Sequence, residues 1–435
     1  MKKSVVILMA FLFTHGMAQD RFQKLDSLLN YLEKNNKFMG SLCIREGENV
    51  VFNKAYGAAV VEKNSAADRL TKYKIGSITK TFTAVMIMQL IEEKKLTLQT
   101  KLNRFYPKIP NAEKISISDL LHHRSGILEY INKDTTTIDA IREAHSKAVI
   151  LKKITGYESV FEPGSKYEYS NSNFYILGCI VENITKKSYA ENLESRIVKK
   201  VNLSSTYYSE DQINSDKKES YSYFYDGNVW VHHPEHHTSL AFAAGGITSN
   251  PADLTRFMNA LFEGKLINKK SLDQMVAINQ GYGKGIMQFP FGERKFYGHG
   301  GKIDNFQSMM GYYPSENMGF ALISNGPNFG QNDLIIGILS IYYKLPFPFP
   351  NFKKLEKSEI ATFIGNYSCK DLPIKITISE KEGNLMAQAT GQPSFELVYK
   401  EEKKFIFAPA GIEMIFGENS FVLKQGGMSF NFTKE

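Results

Sequence analysis

Apolar residues at Phe22, Leu25, Leu28, Leu29 and Leu32 recur at helical spacing and predict an amphipathic helix near the start of the chain. A strand–turn–strand pattern follows: Ser41–Ile44, the polar turn Glu46-Gly47-Glu48-Asn49, then Val50–Ala55. Further along, Phe82, Val85, Met86 and Leu90 share one face of a helix over Thr81–Glu93, and Phe174–Ile180 is an apolar run. Asn305–Tyr313 and Met318–Ser324 read as two more strands, and Leu334–Tyr343 as an apolar helix. Strands at both ends of a unit over residues 19–345, with helices between and after them, predict one α/β domain whose central sheet joins N- and C-terminal segments.

The pattern changes at Pro346-Phe347-Pro348-Phe349-Pro350, which cannot continue a helix and reads as a stiff linker over residues 346–354. Residues 355–435 then show strand after strand: Ile374–Ile378, Leu385–Ala389, Phe395–Tyr399, Phe405–Ala408, Met414–Phe416, Phe421–Leu423 and Ser429–Phe432. Gly383, Gly391, Gly411 and Gly426-Gly427 punctuate them. Short alternating strands at regular spacing predict a small β-barrel or sandwich. It holds no histidine and no evident catalytic set, so it reads as accessory.

The N-terminus has a separate meaning. Lys2 and Lys3, the apolar run Val5–Phe13 and the small residues of Gly16-Met17-Ala18 have the order of a secretory signal peptide over residues 1–18. The run is too short to span a bilayer, and no cysteine marks a lipid anchor, so the expected location is secreted or periplasmic. The 435 residues are 43% hydrophobic and 23% charged, which excludes intrinsic disorder and small disulfide scaffolds. The net charge of +8 is spread without a Lys/Arg block in a nucleic-acid module, so no nucleic-acid partner is expected. Cys43, Cys179 and Cys369 sit among apolar neighbours; one disulfide is possible in an exported chain, and a cysteine zinc site is excluded by spacing.

Three short motifs carry candidate chemistry. In Ser77-Ile78-Thr79-Lys80 the i, i+3 spacing places an ammonium one helical turn from a hydroxyl. A serine needs such a neighbouring base, and a lysine serves only where burial lowers its pKa. The bland alternative is a helix-capping serine. A second match, Ser215-Asp216-Lys217-Lys218, lies in a polar stretch and reads as a solvated loop. Tyr169-Ser170-Asn171 follows the turn Glu162-Pro163-Gly164-Ser165; a tyrosine beside a lysine is expected to have a lowered pKa and to shuttle a proton, while Asn171 holds a substrate carbonyl or fixes the lysine. Tyr130-Ile131-Asn132 repeats the pattern without that turn and reads as a chance match. In His299-Gly300-Gly301 two small residues on a strand edge let a substrate backbone lie close, and the next amide, of Lys302, is placed to pair with the Ser77 amide as an oxyanion hole.

In this order and at these separations the three motifs resemble the serine β-lactamase and penicillin-binding-protein superfamily, and within it the class C β-lactamase-like group, which also holds D-alanyl-D-alanine carboxypeptidases and esterases. Asp119-Leu120-Leu121-His122-His123-Arg124-Ser125-Gly126 and Gly245-Gly246-Ile247, with Ser249 and Asp253-Leu254, resemble that group too. The resemblance covers about residues 20–345, and the tail is similar to a β-barrel appendage of exported members. It implies an antiparallel sheet flanked by helices, with an all-helical subdomain. It also implies Ser77 as nucleophile, Lys80 and Tyr169 handling its proton, Asn171, His299, Gly300 and Gly301 meeting substrate, and no metal or organic cofactor.

The penicillin-recognising pattern has Lys-Thr-Gly where this chain has His299-Gly300-Gly301. A histidine is mostly neutral at pH 7 and glycine has no hydroxyl, which moves the expectation from β-lactams towards uncharged esters or another amide. The expected function is an exported serine hydrolase, a carboxypeptidase-like peptidase or esterase acting on a small molecule or peptide, with peptidoglycan fragments among the candidates. A β-lactamase ranks last, and a catalytically silent binding homologue is the alternative from another class. His232-His233-Pro234-Glu235-His236-His237 invites a metal reading, but Pro234 breaks the helix such spacing needs, so a loop near the site's mouth is preferred. Oligomeric state has no readable signature.

Overall fold

The computed structural model describes residues 21–131, 142–210, 212–352, 355–381, 383–401, 403–407 and 410–435. The expected signal peptide lies outside them. The chain divides into two compact units at Leu345/Pro346.

The first unit is built on a six-stranded antiparallel sheet. Its strands are β1 (Phe38–Glu46), β2 (Asn49–Tyr56), β3 (Met287–Phe291), β4 (Arg294–Ile303), β5 (Phe306–Tyr313) and β6 (Met318–Pro327), in the order β3-β4-β5-β6-β1-β2. The predicted joining of the two ends of the domain is therefore met by β1, which pairs with both β2 and β6. Helices cover both faces, and eight of the nine positions of β1 are buried. The sequence pattern placed β1, β2, β5 and β6 but not β3, and β4 only as a strand edge. The reason is composition: β3 carries Pro290, and β4 carries Gly298, Gly300 and Gly301, residues depleted from strands. Two of the β4 glycines, Gly298 and Gly301, answer to packing. A Cβ on Gly298 would lie 1.9 Å from the Met310 carbonyl oxygen.

The N-terminal helix spans residues 21–34 and buries Leu25, Leu28, Leu29 and Leu32. Helix α1 (Thr79–Glu92) is buried at every position from Thr79 to Leu90, because its residues there are apolar or small apart from Lys80 and Gln89, whose side-chain nitrogens are hydrogen-bonded, which fits the middle of a domain. Helices α2 (Asn171–Thr185) and α3 (Thr238–Gly245) pack against α1, whereas α4 (Pro251–Phe262) lies on the sheet. Asn250 caps α4 by accepting from the Asp253 amide, with Pro251 at the first position. Helix α5 (Gln331–Tyr342) closes the unit.

The second unit is a closed barrel of eight strands. They are β7 (Gly365–Ser368), β8 (Lys375–Lys381), β9 (Asn384–Ala389), β10 (Phe395–Glu401), β11 (Lys404–Phe407), β12 (Ile412–Phe416), β13 (Ser420–Gln425) and β14 (Met428–Lys434). Alternate residues point inward, among them Ile376, Ile378, Leu385, Ala387, Met414 and Phe416. The first strand, β7, was not legible: its one buried residue is Tyr367, yet it closes the barrel by pairing with β14. No helix among the described residues is long and apolar enough to cross a membrane.

Candidate active site

Ser77 sits in a 3-10 turn, Gly76–Ile78, that runs directly into α1. In that tight turn residues i and i+3 nearly eclipse, which sets Lys80 beside Ser77. The Lys80 ammonium donates to Ser77 Oγ at 2.9 Å, to Asn171 Oδ1 at 2.6 Å and to the Ala244 carbonyl at 2.7 Å. All three of its protons are thus placed, and its side chain is wholly buried. Ser77 makes no helix-capping bond, so the bland reading of this serine does not hold. Asn171 is itself fixed, its backbone and side-chain amides both donating to Glu129 Oε2, at 2.5 and 2.9 Å. Of the two roles expected for Asn171, the structure displays the one of fixing the lysine.

The Ala244 carbonyl is free to face Lys80 because α3 is broken at Phe242, whose φ of 41° and ψ of −130° are far from helical. That conformation is strained for a bulky side chain, and packing against Tyr175, Tyr189 and Tyr208 holds it. The neighbouring Ala243 carbonyl accepts from Thr83 Oγ1 at 2.8 Å.

Burial pulls the Lys80 pKa down to about 7, opposed by the Glu129 charge. A lysine near 7 is in part a free amine at neutral pH, able to accept the Ser77 proton. The protonated form cannot. The reaction of Ser77 with an uncharged fluorophosphonate is therefore expected to rise with pH and level off, with its midpoint near 7. Glu129→Gln removes the opposing charge and moves that midpoint to lower pH. A flat profile from pH 5 to 9, or an upward shift in Glu129→Gln, would speak against Lys80 as base.

Tyr169 lies on the other side of the nucleophile, its hydroxyl donating to Ser77 Oγ at 2.9 Å. The expected lowering of its pKa is corrected here: burial pushes it up, with the Ser77 hydrogen bond only partly offsetting. The Lys80 nitrogen lies 4.9 Å from the centre of the tyrosine ring. Tyr169 is thus a neutral phenol at ordinary pH.

Behind Tyr169 runs a buried chain of rings. His123 stacks on Tyr169 with ring centres 4.2 Å apart, accepts from the Ser170 amide at its Nδ1, and meets the Tyr282 hydroxyl at its Nε2. Tyr282 in turn meets His299 Nε2 at 3.0 Å, and His299 Nδ1 meets the Gly300 carbonyl at 2.5 Å. One assignment satisfies every atom: His123 donates to Tyr282, Tyr282 to His299, and His299 to Gly300. Both histidines are neutral in it. Burial agrees, pulling His123 well down and His299 to about 3.

The expectation that His299 meets substrate therefore needs correcting. Its side chain is 2% exposed and ties β4 to the ring chain, away from the cleft. At Gly301 a Cβ would lie 2.0 Å from the Ile75 carbonyl oxygen, so its bareness lets the Ser77 turn seat against β4. Gly300 has room for a Cβ, with nothing nearer than 3.6 Å.

Lys302 closes the arrangement. The β3–β4 ladder ends at the Met287–Gly298 pair, so residues 299–303 have one edge unpaired by a strand, and Gly76 packs there. Gly76 has a φ of +52°, and a Cβ on it would lie 2.8 Å from the Lys302 amide nitrogen. The amide of Lys302 is thereby brought beside the Ser77 turn. Ser77, Asn171 and Lys302 all line one cleft of about 370 Å³.

Sequence reasoning passed over Glu129, Tyr282 and Gly76, and quoted His123 only as part of a segment. Gly76 had a readable signal, a glycine directly before the serine; the others lie far from the motifs in sequence. Tyr130 is buried and donates to the Leu240 carbonyl, a structural use; Asn132 lies outside the described residues. Ser215 lies in an exposed turn, as expected. In the histidine run His232 pairs with Glu235, His237 with Ser239 and His236 with Asp304, and no metal-ligating cluster occurs among the described residues. The three cysteines are free.

Comparison with known proteins agrees with this architecture. The family model described as Beta-lactamase matches residues 30–339. Penicillin-binding protein 4* of Bacillus subtilis is 24% identical over 94% of this chain and 98% of its own length. Protein flp of Staphylococcus aureus is 29% identical over 71% of this chain, which spans 64% of flp. Among solved structures, the octameric penicillin-binding protein homologue from Pyrococcus abyssi superposes with a TM-score of 0.73 at 23% identity, covering 95% of this chain and 99% of that one. The D-amino acid amidase from Ochrobactrum anthropi gives 0.67 at 22% identity over 75% of this chain and 99% of its own. With the motifs in this fold and the family model spanning most of the first unit, the chain belongs to the beta-lactamase family.

Proposed function

We propose that this protein is an exported serine hydrolase that forms an acyl-enzyme on Ser77, acting as a D-alanyl-D-alanine carboxypeptidase-like peptidase or as an esterase. One observation carries the reading: Ser77 Oγ is held between a buried lysine with a pKa near 7 and a neutral tyrosine donor, at the wall of a cleft. Free-amine Lys80 takes the serine proton as Oγ attacks the acyl carbon. The developing oxyanion is received by the amides of Ser77 and Lys302. The proton taken by Lys80 passes by way of Tyr169 to the leaving group, and water, activated with the help of Tyr169, then attacks the acyl carbon and returns a proton to Oγ as the acid is released. Export rests on the signal-peptide order of residues 1–18. The name of one structural relative, a D-amino acid amidase, favours D-configured amides among substrates.

A substrate panel tests the choice. Wild type is assayed on a D-alanyl-D-alanine peptide, D-phenylalanine amide and p-nitrophenyl acetate, with penicillin followed as a mass adduct. Peptide turnover with a penicillin adduct supports the peptidase; ester turnover without an adduct supports the esterase. Absence of turnover on all of them would contradict the hydrolase reading.

A further inference from the structure

The cleft that holds Ser77 contains a second polar group whose purpose the chemistry at Ser77 does not use. His236 lines its wall with a side chain 26% exposed, next to Asp304, whose side chain is fully buried. Asp304 occupies the two-residue turn between β4 and β5, at a φ of +53°. Its Oδ1 accepts from the His236 backbone amide at 2.8 Å and meets His236 Nδ1 at 2.5 Å; its Oδ2 lies 3.4 Å from Lys74 Nζ. Lys74 also donates to the His236 carbonyl at 2.9 Å. Burial would raise the Asp304 pKa, but His236 and Lys74 hold it below the usual carboxylate range. The anion thus fixes the imidazole by its Nδ1 proton, and Nε2 is the ring nitrogen left for a ligand.

The rest of the lining says which ligand fits. Leu240, Ala241, Ala244 and Ile303 give an apolar stretch between Ser77 and His236. Asp304 is the only carboxylate among the described lining residues, and both its oxygens are engaged. Lys302, an exposed residue, lines the same wall. A free ammonium group would find no unengaged anion among the described lining residues.

We propose that His236, positioned by Asp304 and Lys74, is a specificity-determining residue that receives a carboxylate at the far end of the acyl group, so that the preferred acyl donors are half-esters or half-amides of short dicarboxylic acids. The inference rests on the reading of Ser77 as nucleophile. The ring faces Asp304 with Nδ1 and donates to the ligand carboxylate from Nε2. The apolar stretch takes the methylene chain between the two ends.

The test compares p-nitrophenyl hydrogen adipate with p-nitrophenyl hexanoate, acyl chains of equal length with and without the terminal carboxylate. The ratio of their kcat/KM values is expected to fall at least tenfold in His236→Ala. It should fall in Asp304→Asn as well, and no further in the double variant, since one group acts through the other. Each variant is first titrated with a fluorophosphonate, so that loss of active protein is not read as lost selectivity. An unchanged ratio in His236→Ala, or additive losses in the double variant, would overturn the proposal. Binding is read independently of turnover from the 15N resonances of His236 in wild-type protein on adding free adipate. Failure of Ser77 to react would defeat the hydrolase reading and with it the acyl-donor proposal, even where the His236 resonance moves. An unmoved His236 resonance would defeat this one.

Discussion

Ser77→Ala is expected to abolish turnover of every substrate, lowering kcat/KM by about 10⁴-fold or more, while leaving the fold intact. No other described residue offers a hydroxyl held by both Lys80 and Tyr169. Loss of the oxygen frees one donor position on each, beside a cleft that Ser77 itself lines. The serine contributes no helix cap and lies half-buried, so the stability change should stay within about 1 kcal/mol. Thermal unfolding and circular dichroism check the fold, and kinetics the activity. Retained hydrolysis in a folded, pure Ser77→Ala protein would remove Ser77 from its assigned role.

Gly301→Ala is expected to produce the largest loss from a change that removes no reacting group. Its Cβ would lie 2.0 Å from the Ile75 carbonyl oxygen and 2.3 Å from Ser308 Oγ. Neither atom yields cheaply: Ile75 is backbone, and Ser308 donates to that same carbonyl at 2.8 Å. Strand β4 and the Ser77 turn must therefore separate, which carries the Lys302 amide away from the nucleophile. A shift of about 1 Å in such a site costs on the order of 10²-fold in rate. Overpacking of this kind costs about 1–3 kcal/mol in stability. Gly300→Ala is the control, since that position has space, and should keep most of the activity. Equal activity in both variants would refute the close-approach account.

These expectations also show what was legible in the sequence. Ser77, Lys80, Tyr169 and Asn171 were readable because each nucleophile, base and donor is a residue type the chemistry demands at a short spacing. The helices α1 and α2 were readable because burial on all sides leaves long apolar runs. His299 was misread because nothing in a tripeptide says which way the imidazole points; its direction is set by Tyr282, a residue seventeen positions away. Glu129, 42 residues before Asn171, was silent for the same reason. The Tyr169 pKa was misjudged because burial, a property of the whole fold, outweighs the nearby ammonium. Strand β3 was hidden by Pro290, and β4 was read only as a strand edge at His299-Gly300-Gly301, because glycines have low strand preference; Gly298 and Gly301 sit there in close backbone approach.

The central claim is that Ser77 is an activated nucleophile, and intact-protein mass spectrometry after exposure to a fluorophosphonate tests it most directly. The account predicts a single adduct, mapped by peptide analysis to Ser77, formed faster at pH 8 than at pH 6 and absent from Ser77→Ala. A folded wild-type protein that takes no adduct, or takes it on another residue, would contradict it.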